Sequence, residues 1–234
     1  MNMIDNVKRI QNSIDARLEK LGRQDEEICL LAVTKTQSVE AIDAALKAGI
    51  KHFGENKVQE AMRKLPLLSE AYEGFHFIGH LQSNKINQLL SLKPSLVQSV
   101  DSVYIAQKLH LALGRTNRYQ DILIQVNISE EASKSGVSFD NAIQCVEEIS
   151  RYSTLAIRGL MTIGKLGEPE ESRPLFAKMK QLFEKIKLMD IPNVQMDYLS
   201  MGMSHDYLIA LDEGANMLRI GTAIFGNRNS GGKR

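Results

Sequence analysis

The sequence is sparing with the residues that would place it outside the ordinary globular proteins. It has two cysteines, Cys29 and Cys145. They form no CxxC pair and no Cys/His cluster at metal-ligand spacing, so both are read as reduced, buried thiols. The five histidines show no HExxH spacing, and no metal is assigned. Neither charge sign is in excess: 29 basic and 28 acidic side chains leave a formal net charge of +1. That balance speaks against nucleic acid or an anionic membrane as the main partner, while a small anion needs only a local positive site. No run of 18 apolar residues occurs, so no membrane span is expected. The first turns carry Asp5, Lys8 and Arg9 instead of the apolar centre of a signal peptide, and the expected address is the cytosol. Glycine-rich nucleotide fingerprints of the Rossmann and P-loop kinds are missing, as are low-complexity tracts and Pro/Gly-rich linkers.

What is present is alternation. Ile4, Val7, Ile10, Ile14, Leu18 and Leu21 recur at three- and four-residue steps, one apolar stripe on an opening helix that ends near Gly22. Ile28–Val33 is then a continuous apolar run, short enough for a strand buried on both faces. Further strands are expected at 51–54, 75–80, 96–101, 122–129, 155–163, 197–203 and 217–225. Helical segments separate them, at 38–48, 56–65, 83–91, 102–113, 138–151, 171–189 and 205–213. Eight strands with a helix between each successive pair imply a parallel sheet, and eight units suggest a closed (β/α)8 TIM barrel. The pattern by itself also admits an open doubly wound sheet. At 234 residues the chain suits one barrel domain, with 229–234 read as a loose tail and no room left for a second domain.

Barrel chemistry sits at the C-terminal ends of the strands. The polar residues expected there are Lys35; Glu55 and Asn56 beside Gly54; His80, Gln82, Asn84 and Lys85 after Gly79; Ser133, Lys134 and Ser135 before Gly136; Thr162 beside Met161; Ser200, Gly202 and Ser204; and Arg219, Gly221 and Thr222. Lys35 follows an apolar run directly. Desolvation there disfavours the ammonium form and makes the amine a nucleophile toward an aldehyde, although a snorkelling surface lysine is the plain alternative. The Ser/Gly run at 199–204 and the Gly221–Thr222 pair suit phosphate, because backbone N–H groups at a strand end converge on an anion; the alternative is tight packing alone. Arg219 interrupts an apolar strand, so its guanidinium should meet something polar in the barrel mouth, or else an acidic side chain such as Glu55 or Asp101. His52 and His76 read as core or rim histidines, and Glu147, Glu148 and the charges from Lys178 to Lys187 as solvated helix faces.

Taken together, AVTKTQS (32–38), HFGENKVQE (52–60), FHFIGHLQSNK (75–85), SKSG (133–136), RGLMTI (158–163), LSMGMSHD (199–206) and RIGTAIFG (219–226) resemble the YggS/PROSC family, the pyridoxal phosphate homeostasis proteins. The motifs run in order over nearly the whole chain. The resemblance implies a barrel like the N-terminal domain of alanine racemase that binds pyridoxal 5′-phosphate (PLP). It implies a Schiff base on Lys35, Ser200 with Gly221 and Thr222 at the phosphate, Arg219 facing the pyridine nitrogen, and Asn56 as a neighbour of the cofactor. Lys134 matches a lysine near the mouth. His205 stands where some relatives carry an acidic residue, a change of local charge that should leave binding intact.

Three functions are weighed on this basis. PLP catalysis uses the ring as an electron sink, and a fixed positive charge at the pyridine nitrogen weakens that sink. A racemase needs a base on each face of the Cα, and its relatives take the second from an additional domain that this sequence is not expected to have. The expectation is therefore a PLP carrier or reservoir in vitamin B6 and amino-acid homeostasis. It would be monomeric, with no residue assigned a catalytic role, and PLP-dependent apoenzymes would be the acceptors. The alternatives are a PLP-dependent racemase-like enzyme of low activity and a cofactor-free Schiff-base lyase acting through Lys35.

Overall fold

The computed structural model describes residues 2–131, 134–165 and 167–226. Ser133 and the tail at 229–234, both singled out above, lie outside the described residues.

The apolar stripe folds as expected into helix α1, Met3–Leu21, which buries Val7, Ile10, Ile14 and Leu18. The side chain of Asn2 accepts the N–H of Ile4 at the start of α1, and Gly22 ends it at φ +67°. The strands follow as β1 (Cys29–Val33), β2 (His52–Glu55), β3 (Gly74–Phe77), β4 (Leu96–Val100), β5 (Gln120–Asn127), the two-residue β6 (Val137–Ser138), β7 (Leu155–Met161), β8 (Val194–Met203) and β9 (Met217–Ile220), and helices α2 (Val39–Lys47), α3 (Val58–Lys64), α4 (Ile86–Ser91), α5 (Val103–Gly114), α6 (Ala142–Ile149), α7 (Arg173–Lys187), α8 (Tyr207–Asp212) and α9 (Thr222–Phe225) alternate with them. All pair in parallel. The order β4-β3-β2-β1-β9-β8-β7-β5, together with the β4–β5 pairing, closes the sheet on itself. The result is an eight-stranded barrel and not an open sheet, with β6 paired to the outer end of β5.

Two apolar layers follow from the period of two along each strand. Ala32, Phe53, Phe75, Phe77, Val97 and Ile122 face outward and pack under the surrounding helices. Leu96, Leu123, Met161 and Met217 fill the interior with Cys29, Ile163 and Tyr198 against them. Both cysteines are free, and burial pushes each thiol up to about 12, which makes them poor nucleophiles.

Several boundaries differ from expectation. The eighth apolar run stops as a strand at Ile220. Gly221 leaves the sheet, and helix α9 occupies Thr222–Phe225. The expected helix at 138–151 shortens to Ala142–Ile149, because Val137 and Ser138 pair with Val126 and Asn127. The expected helix at 205–213 covers only Tyr207–Asp212. Among the described residues, no helix is long and apolar enough to cross a membrane.

Candidate functional site

Lys35 sits in the turn that carries β1 over the barrel rim. The N–H of Gln37 closes on the carbonyl of Thr34 at 3.0 Å, and Thr36 has φ +65°. Closure from the first to the fourth residue, with positive φ at the third alone, is the type II turn, with Lys35 at its second position. Cys29, Leu31 and Val33 alternate on the inner side of β1, and Lys35 continues that parity, half-buried at the mouth.

Behind it lies a buried polar chain. Arg219, only 5% exposed, donates from Nη1 to Ser200 Oγ at 2.6 Å and from Nη2 to the Thr162 carbonyl at 2.7 Å. Ser200 donates in turn to Gln98 Oε1 at 2.7 Å, and Gln98 Nε2 lies 2.9 Å from His76 Nδ1. The amide donates, so His76 accepts at Nδ1 and is neutral. Burial pushes its pKa down to about 3, and His52 beside it acts in the same sense. Burial also lowers Arg219 to about 10, opposed by the charge of Asp206, so Arg219 remains a cation at neutral pH. The acidic partners considered from sequence are not its hydrogen-bond acceptors. Glu55 faces outward to Lys64 at 2.8 Å, and Asp101 meets His80 at 3.0 Å.

The second feature is a pair of backbone amides. The N–H groups of Gly221 and Ala223 converge on Ser204 Oγ at 3.1 and 3.2 Å. Gly221 borders β1: a side chain there would first meet Val33, at 3.5 Å. The structure therefore brings Ser204 to these amides, whereas Ser200, singled out from sequence, is closed inside the barrel with its hydroxyl engaged by Arg219 and Gln98. The signal that separates the two serines is backbone geometry. Gly202 takes φ +90°, and the β8–β9 register shifts between Ser200 and Met203.

Asn56 follows β2 at the same rim. Its Oδ1 is buried and has no hydrogen-bond partner among the described residues. Gly79 lies against it so closely that a Cβ would stand 1.9 Å from the Asn56 carbonyl oxygen. Thr222 is exposed at the start of α9. Lys134 Nζ holds Glu131 at 2.7 Å, Ser129 at 3.2 Å and the Gly164 carbonyl at 3.1 Å, and so fastens the rim of units five and six. His205 is exposed, with Nε2 3.3 Å from Asp206 Oδ2. Gln82 and Asn84 are exposed on the third loop. Lys35, Asn56, Arg219 and the Gly221–Thr222 turn thus gather at one end of the barrel. A cavity of about 570 Å³ opens at the other end, among Cys29, His52, His76, Leu96, Asp121 and Met217, and none of the cofactor candidates lines it.

Comparison with known proteins bears on this mouth. Residues 6–229 match the family model of the alanine racemase N-terminal domain. The pyridoxal phosphate homeostasis protein of Aquifex aeolicus is 37% identical over 229 residues, covering 97% of this chain and 99% of the relative. The structure of PipY from Synechococcus elongatus with PLP bound is 33% identical and superposes with a TM-score of 0.76, covering 91% of this chain and 100% of that one. An alanine racemase from Clostridium difficile shares the fold at 16% identity and a TM-score of 0.75, covering 97% of this chain and 58% of the racemase.

Proposed function

The chain belongs to the pyridoxal phosphate homeostasis protein family, and from that premise we propose that it holds PLP reversibly as a Schiff base on Lys35 and serves as a carrier of the cofactor instead of as an enzyme. The residues at the mouth suit the group. Among the described residues, Asn56 Oδ1 is a buried acceptor without a hydrogen-bond partner. The N–H groups of Gly221 and Ala223 converge on one oxygen, Ser204 Oγ, an arrangement that would equally suit a phosphate oxygen held with the help of that hydroxyl, and Thr222 lies between them in the turn. Arg219 lies deeper, on the strand paired with β1. Leu31 is opposite Arg219; Val33, the end of β1, lies two residues further on, roughly 7 Å at the rise of a strand, and Lys35 is two residues beyond it in the turn. A lysine side chain and a pyridine ring can share that span.

The observation that carries the reading is the setting of Arg219. When bound, PLP supplies an electron sink whose strength depends on protonation of its ring nitrogen. Arg219 presents a permanent, buried cation that donates to a hydroxyl and a carbonyl. A cation at the ring nitrogen disfavours its protonation and holds the sink weak, which suits storage better than carbanion chemistry. The lysine retains the aldehyde, the amides retain the phosphate, and an open mouth permits exchange with PLP-dependent apoenzymes. We assign a monomer, with no nucleic acid or membrane as partner.

The test is the visible absorption spectrum of the purified protein after PLP addition, beside Lys35→Ala, with an assay for turnover of D- and L-amino acids. A band in the parent that is lost in the variant, without turnover, is the expected result. No band in the parent sinks the Lys35 assignment. Turnover that depends on Lys35 replaces the carrier with a racemase-like enzyme.

A further inference from the structure

The turn bearing Lys35 places a β-branched residue where glycine or asparagine is the usual choice. Thr36 holds φ +65°, a left-handed conformation that strains its side chain. A type I turn would seat Thr36 comfortably and needs only a flip of the Lys35–Thr36 peptide. Something must hold the flipped form, and helix α3 (Val58–Lys64) supplies it. Glu60 Oε2 accepts the N–H of Thr36 at 2.9 Å, the very group that the flip would turn away. Lys64 Nζ holds Glu60 Oε2 at 3.0 Å and reaches the turn's other end, the Thr34 carbonyl, at 2.9 Å. Its remaining hydrogen bond goes to the buried Glu55 Oε1 at 2.8 Å, which also accepts the Thr34 hydroxyl at 2.7 Å. Lys64 thus uses its three donors on one latch. Burial would raise Glu60, but Thr36 and Lys64 outweigh it and hold the carboxyl below its usual value, so it is ionised at neutral pH.

We propose that Glu60, braced by Lys64, is a positioning residue for the cofactor lysine: it latches the Lys35–Thr36 peptide in the type II orientation and thereby sets how Lys35 is presented to PLP. The inference rests on the reading of Lys35 as the PLP lysine. Between the two turn types the ψ of Lys35 changes by about 150° and its carbonyl dipole reverses. The hydroxyl of Thr36, which donates to that carbonyl at 2.6 Å, would lose its acceptor. Loss of the latch therefore reaches Lys35 without removing any atom from the cofactor pocket.

The test is a double-mutant cycle on the full-length protein, Glu60→Ala against Thr36→Gly, read in two ways. The first is the rate of PLP loss from the loaded protein, followed by its visible band. The second is the thermal midpoint without PLP. Glu60→Ala should retain the band and release PLP about tenfold faster, as expected when a charge-assisted hydrogen bond is lost and Thr36 relaxes. Glu60→Gln, which keeps an acceptor oxygen, should fall between the two. Thr36→Gly is at ease with positive φ, so in its background Glu60→Ala should lose most of its effect on both readouts. Release within about twofold of the parent in Glu60→Ala, or equal effects of Glu60→Ala in both backgrounds, overturns the proposal. Should Glu60→Ala not fold, Glu60→Gln takes its place in the cycle, and release no faster than the parent's, or equal effects of Glu60→Gln in both backgrounds, overturns the proposal. A band that survives Lys35→Ala sinks the reading of Lys35 itself, whatever the cycle shows.

Discussion

Leu31 of β1 stands opposite Arg219 of β9 in parallel register. The strand that ends in the turn of Lys35 and the strand that carries the buried guanidinium are therefore hydrogen-bonded neighbours, and the barrel holds their spacing rigidly. If Arg219 keeps the sink weak, a carboxylate in its place should strengthen it. Arg219→Glu is expected to incorporate solvent deuterium at the Cα of alanine in the presence of PLP, where the parent does not, as read by proton NMR. The variant also leaves the Thr162 carbonyl without its donor, so a stability loss of about 3 kcal/mol is expected. Deuterium incorporation by the parent at the variant's rate would remove Arg219 from the argument.

The two serines of the LSMGMS run should separate by experiment. Ser204 meets the amides of Gly221 and Ala223, so Ser204→Ala should weaken PLP binding about tenfold and spare pyridoxal, which has no phosphate. Ser200 lies behind Arg219, so Ser200→Ala should cost the PLP-free protein about 1–2 kcal/mol through the orphaned partners Arg219 and Gln98. It should leave the discrimination between PLP and pyridoxal unchanged. Titration of both variants with both aldehydes checks this, and a larger phosphate-specific loss in Ser200→Ala would reverse the assignment.

That pair shows where sequence reasoning stops. The rim position of Lys35 was legible because one lysine ends an apolar run, and eight such runs with helices between them were legible as a parallel sheet, whose closure into a barrel the pattern suggested without deciding it against an open sheet. The choice between Ser200 and Ser204 was not, because strand parity breaks where Gly202 takes positive φ and the β8–β9 register shifts. Arg219 was legible as an arginine out of place. Its partners were not, since Thr162 and Ser200 come from other units, 57 and 19 residues away. The apolar run after Ile220 read as strand, yet Gly221 turns it into the helical turn that exposes the amides. Glu60 gave no signal at all, because an acidic residue in the first turn of a helix is what the helix dipole favours in any case.

Acid should destabilise the protein well above the carboxylate range. The pKa of His76 in the fold is about 3, below its ordinary 6.5, because burial excludes the charged form. The unfolded chain takes up this proton near pH 6.5 and the folded one does not. The contribution of His76 is therefore fully present above pH 6.5 and is lost as pH falls toward 3, at up to about 1.4 kcal/mol per pH unit. His52, lowered mainly by burial, acts in the same direction. Urea midpoints should fall steadily from pH 7 to pH 5, and His76→Gln should flatten that slope. A midpoint constant over this range would contradict a buried neutral His76.

Gly79 ties the site to the core. Its carbonyl accepts the Ser99 hydroxyl at 2.6 Å, so β4 holds it in place, and a Cβ would stand 1.9 Å from the carbonyl oxygen of Asn56. The atoms met are backbone and cannot swing aside, so Gly79→Ala must push Asn56 away or displace the third strand end. A loss of about 3 kcal/mol or more is expected, together with faster PLP release because Asn56 moves. Gly114 provides the control. It lies in helix α5 (Val103–Gly114) with nothing within 4 Å of its Cβ position, so Gly114→Ala should stabilise by about 0.5–1 kcal/mol and leave PLP release unchanged. Thermal midpoints and release rates of the two variants, measured side by side, decide it: equal stability changes would mean that the close approach of Gly79 to Asn56 carries no constraint.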